Sequence, residues 1–147
     1  MLALVLRWMH IVPAVVAGGA TIFARIALIP ALTALPEAQR QQVKQNIDRR
    51  WRVVVMASIT LLIASGLANY VLYQAPAHTG QALYHALFGV KFVLALAVFF
   101  LASALSGRSA ALSSIRANGA FWTAMAAGLV IVIVLISGVL RSLPHAA

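Results

Sequence analysis

Residues 2–32, "LALVLRWMHIVPAVVAGGATIFARIALIPAL", form an apolar run interrupted only by Arg7, His10 and Arg25. The run begins like a secretory signal, with a basic residue ahead of apolar ones. It is too long for a signal h-region, however, and it holds a histidine and a second arginine, so it reads as a retained transmembrane helix. Three further stretches are long and apolar enough to cross about 30 Å of hydrocarbon as helices: about 53–73, 82–105 and 120–140. One compact all-α unit over 1–147, an integral membrane bundle of four transmembrane helices, is therefore the expected fold.

Composition agrees. The chain is 63% hydrophobic and 9% charged, more apolar surface than a water-soluble domain of 147 residues requires. There are no cysteines, which excludes disulfides, thiolate metal sites and thiol nucleophiles. The formal net charge of +9 invites a nucleic-acid interpretation, but five of the eleven Lys and Arg residues sit together between two apolar runs. Arg40, Lys44, Arg49, Arg50 and Arg52 stand there against Glu37 and Asp48, in an amphipathic continuation of a helix at the membrane surface. That placement marks a cytoplasmic loop next to lipid, and no nucleic-acid partner is expected.

The segment after the third run carries Arg108 and Arg116, whereas "YQAPAHTGQALYH" (73–85) has neither Lys nor Arg. The positive-inside rule then places the first and third loops in the cytoplasm, and both termini and the second loop outside. Trp8, Tyr73 and Tyr84 fall at the outer interface and Trp51 and Trp122 at the inner one, as aromatic belts do. The location implied is a bacterial-type cytoplasmic (inner) membrane.

Polar residues inside the runs are few: His10, Arg25, Asn69, His85 and Lys91. A polar ring in hydrocarbon is costly, so each needs a compensating partner. His10 and His85 lie at similar depth on different helices, where facing imidazoles hold a haem iron. Arg7, Lys91 and Arg141 are the cations available to two haem propionates, and Gly18, Gly19, Gly66 and Gly89 let backbone approach a flat ring or a neighbouring helix. Against this, a hydrogen bond to a helix carbonyl is the lesser alternative for His10, and the wet mouth of the second loop is an alternative for His85. Arg25 reaches the cytoplasmic surface by snorkelling, Lys91 is divided between snorkelling and a buried partner, and His78 and His145 are placed in solvent. Met9 beside His10 raises copper as an alternative metal, but Met56 and Met125 fall in the other half of the membrane and do not converge with it. With both acids in a cytoplasmic loop, no carboxylate base is available for hydrolysis within the membrane. Pro13, early in the first helix, releases the carbonyl of Met9 and bends the helix beside His10.

"RWMHIVPAVVAGGATIFARIALIPAL", "RRWRVVVMASITLLIASGL" and "FGVKFVLALAVFFLASAL" resemble the first three helices of the copper-resistance D superfamily of four-helix membrane units, which includes the membrane protoporphyrinogen oxidases. The resemblance covers nearly the whole chain. It implies that His10 corresponds to the family's first-helix histidine and Lys91 to its third-helix lysine. The oxidases carry a histidine two residues before that lysine, where this chain has Gly89, and His85 is the nearest substitute, one helical turn away. The acid-containing lead into the oxidases' fourth helix is also missing from "RANGAFW". What the resemblance implies is haem b bound with a displaced ligand and electron transfer on the outer side of the membrane. The partners would be the lipid bilayer, a quinone or a periplasmic redox protein, and a further copy of the chain. A copper or small-solute transporter and a non-catalytic subunit of a membrane complex are the competing functions.

Overall fold

The computed structural model describes residues 1–107 and 109–144. Arg108 and His145, both used above, lie outside the described residues. All regular structure among the described residues is helical, and four helices are long and apolar enough to cross a membrane. They are α1 (Leu2–Thr33), α2 (Glu37–Ala77), α3 (Ala82–Ser106) and α4 (Gly119–Ser142). The first, third and fourth lie close to the expected spans. The second is longer than its apolar run, because the basic segment before Val53 continues the same helix without a break. Charged residues there favour helix as strongly as the apolar ones do, so nothing in 37–52 stops it.

Two turns of the long helices widen to the π form, at Ala24–Leu28 in α1 and Tyr70–Gln74 in α2. Each ends two residues before a proline, Pro30 or Pro76. A proline inside a helix lacks one N–H and collides with the carbonyl four residues earlier, and opening the preceding turn relieves both conflicts. Pro13 differs. The helix passes through it in α form, and it is buried.

The helices pair as α1 with α2 and α3 with α4, and the two pairs meet less extensively with each other. Small residues make the close contacts: Gly18, Ser58, Ser65, Ala104, Ala126 and Ala127 are all buried. Without a hydrophobic drive between helices in lipid, close packing of small residues is what holds spans together. A Cβ on Gly18 would stand 3.0 Å from Val130 Cγ1, and one on Gly66 3.0 Å from His10 Cε1. Gly19 and Gly89 face open space, so only two of the four glycines noted in the sequence mark close approaches. Large apolar side chains point outward instead, among them Val15, Ile26, Val53, Val93 and Leu135, each more than 60% exposed. Such a surface is stable only in an apolar surrounding.

Six hydroxyls inside the helices are satisfied locally. Thr21, Thr60, Ser65, Ser106, Thr123 and Ser137 each donate to the carbonyl four residues earlier, at 2.5–3.0 Å. Where no water is available, this removes the cost of a bare hydroxyl. At the basic end, Arg40 pairs with Glu37, and Arg52 Nε donates to the Ser106 carbonyl at 2.9 Å, capping the C-terminus of α3 from α2.

Candidate functional site

Between the two helix pairs lies a cavity of about 1620 Å³ that extends along the bundle. It is larger than the roughly 300–1,000 Å³ of an ordinary small-molecule pocket. At the end formed by the start of α1, the close of α2 and the start of α3, its wall includes Arg7, His10, Tyr70, His78, Lys91 and Arg141. Toward the other end the lining turns apolar, with Ile59, Phe92, Phe99 and Val130, and finishes at Lys44, Asp48 and Arg116.

His10 is fixed from α2. Its Nδ1 lies 3.0 Å from Ser65 Oγ, and Ser65 gives its own proton to the Leu61 carbonyl at 2.5 Å. The serine hydrogen is thereby spent, so its lone pairs face the ring and His10 Nδ1–H is the donor. A neutral imidazole in that tautomer carries its lone pair on Nε2. The missing side chain of Gly66 makes room for the ring edge. An imidazole whose Nδ1–H is held by a fixed oxygen acceptor is how proteins orient a metal-ligating histidine. Lys91, from α3, comes near enough for its charge to act on this ring. The ion pair among the described residues is Arg40–Glu37, so the Lys91 ammonium has no carboxylate partner there.

His85 is held differently. Its Nδ1 is 2.8 Å from the Tyr70 hydroxyl and its Nε2 is 3.1 Å from the His78 carbonyl. Both nitrogens are engaged, and the residue is not part of the cavity wall. The structure therefore brings Arg7, His10, Lys91 and Arg141 to one cavity and leaves His85 behind Tyr70. The short 78–81 connection explains why. Gly80, at φ +78°, allows a turn that lays the His78 carbonyl over the start of α3, where it accepts from both the Gln81 N–H and His85 Nε2–H.

Two positions read as solvent- or lipid-facing in the sequence are buried. His78 is only 2% exposed, with Nδ1 bonded to the Gln74 carbonyl at 2.9 Å and its ring stacked 3.7 Å from that of Tyr84. Tyr84 is 4% exposed, and its hydroxyl donates to Gln74 Oε1 at 3.1 Å. Sequence reasoning missed this cluster because it counted polar residues span by span. The available signal was the spacing of His78, Tyr84 and His85 around a four-residue turn that contains a glycine. Among the described residues no three His, Cys, Asp or Glu side chains gather as a metal-ligand group.

Compared with protein-family models, with curated proteins and with solved structures, the chain matches none.

Proposed function

We propose that the chain is a haem-b-binding integral membrane protein that carries electrons, with His10 as the protein ligand to the iron. The observation that carries this is an oriented imidazole in the cavity wall: His10 Nδ1 meets Ser65, whose own proton goes to the Leu61 carbonyl, and the ring also bonds the Leu62 backbone, so with the proton on Nδ1 the Nε2 lone pair is the one offered to the iron. The donor set fits the group. One oriented imidazole, three cations able to pair with propionates (Arg7, Lys91 and Arg141) and apolar walls stand in one cavity. When bound, haem supplies one-electron redox chemistry at its iron. The chain's residues hold the imidazole in place, neutralise the carboxylates and keep bulk water from the apolar half of the cavity.

His85 is no part of this ligand set, because ligation would take it from Tyr70 or from the His78 carbonyl. Copper, as cargo or cofactor, is the weaker reading, since His10 and Met9 offer one imidazole and one thioether with no third ligand gathered beside them.

The reading includes insertion in a bacterial-type inner membrane with both termini outside, supported by four exposed apolar helices and by the basic cluster at one end of the bundle. The haem would then stand near the outer surface, within reach of a quinone or periplasmic partner. The test is to titrate the purified chain with haem in lipid nanodiscs. One haem bound per chain, with a sharp Soret band lost in His10→Ala, supports the reading. Equal binding by wild type and His10→Ala overturns it.

A further inference from the structure

Tyr70 differs from seven other hydroxyl residues of the bundle. Thr21, Thr60, Ser65, Ser106, Thr123 and Ser137 donate to backbone carbonyls, and Tyr84 donates to the side-chain amide oxygen of Gln74. None of those acceptors can take the proton. Tyr70 instead meets an imidazole nitrogen, His85 Nδ1, at 2.8 Å. The His78 carbonyl can only accept, so His85 Nε2 carries the ring proton and the lone pair on Nδ1 faces the tyrosine. Hydroxyl and base are thus poised for transfer.

Packing keeps them so. The Tyr70 ring stacks on Phe88 at 3.8 Å, and the His85 ring meets the edges of Tyr70 and Tyr84 at 87°. The π turn beginning at Tyr70 sets where its side chain leaves α2, and the tyrosine is part of the cavity wall while His85 is not.

We propose that Tyr70, in the cavity wall, and His85, behind it, form a proton-coupled redox pair. The Tyr70 phenol would give up an electron to a one-electron, metal-centred oxidant bound in the cavity. The phenolic proton crosses to His85 Nδ1, which leaves a neutral tyrosyl radical and an imidazolium. His85 Nε2–H stays on the His78 carbonyl throughout. One electron passes to the oxidant, one proton moves between two named atoms, and on re-reduction the proton returns to the phenol oxygen. The imidazole matters because oxidation without a base would leave a phenol radical cation in a site of low dielectric.

The experiment uses the full chain as purified in lipid nanodiscs, with photogenerated ruthenium(III) tris-bipyridine as oxidant. Flash oxidation should give a tyrosyl radical, read by transient absorption and electron paramagnetic resonance. Tyr70→Phe, which keeps the stacked ring, should abolish that radical, while Tyr84→Phe should leave it. His85→Gln should slow its formation by about a hundredfold, the low end of what a positioned base contributes. Added imidazole should restore the rate in His85→Gly. A radical formed at the wild-type rate in Tyr70→Phe, or in His85→Gln, would overturn the proposal. The absorption spectrum of the same samples reports haem separately, so this pair can fail while the haem reading stands, and the reverse.

Discussion

His10 and His85 enter the bundle from the same end, yet they are held in opposite ways. His10 is held from one helix, by Ser65 Oγ and the Leu62 backbone, with its ring in the cavity wall, whereas His85 has its two nitrogens on separate groups, the Tyr70 hydroxyl and the His78 carbonyl, and stands behind that wall. Both arrangements offset the cost of an imidazole in apolar surroundings. They differ in what they leave over. A histidine in the cavity wall stands where a guest could reach it, and one wedged between a hydroxyl and a carbonyl behind that wall is a cross-link or a proton acceptor for its neighbour. The depth of a histidine in a span does not tell these apart; the hydrogen-bonding groups on the facing helix do.

The comparison can be broken most forcefully at Gly66. A Gly66→Val side chain would begin 3.0 Å from His10 Cε1, with the Ser65 bond holding the ring against it. Haem retention should fall to background in a chain that still inserts, as measured by the haem-to-protein ratio after purification; full retention would mean that the His10 ring is not the ligand. Ser65→Ala is the milder cut. It removes the acceptor for Nδ1–H but not the ligand, so haem affinity should weaken by about 10–100-fold with the band positions nearly unchanged.

His85→Ala sharpens the contrast from the other side. Its haem spectrum should match the wild type, while stability falls by about 1–3 kcal/mol from the partners left unmatched at Tyr70 and His78. A change in the number of axial ligands in this variant would place His85 on the iron after all. Smallest of all, Arg52→Ala should cost about 1 kcal/mol or slightly more by uncapping Ser106 at the end of α3, with haem binding intact. Thermal unfolding in a fixed detergent measures both losses.

Much of this was legible in the residues. The four helices follow from long apolar runs, and the extension of α2 through 37–52 follows from a basic segment with no Pro or Gly to stop it. Each π turn precedes a proline, Pro30 or Pro76, but Pro13, which the helix passes in α form, shows that a proline alone does not place one. The cavity group was half legible. Arg7, His10, Lys91 and Arg141 are rare polar residues at matching depth, but that Ser65 faces His10 depends on the rotation of α1 against α2, which an apolar pattern on every face does not fix. His78 and Tyr84 were misplaced for a related reason. Residues of a short connection read as solvated until the turn folds them back, and here Gly80 lets the 78–81 segment carry His78 inward beneath Tyr84.

Whether His10 binds haem iron through Nε2 is decided by exchanging that ligand. His10→Gly removes the imidazole and leaves the helix, Ser65 and the three cations in place. This variant, purified in nanodiscs and supplied with haem, should lack the histidine-ligated Soret and visible bands of the wild type, and free imidazole should restore them. Wild-type bands in His10→Gly before imidazole is added would contradict that ligation.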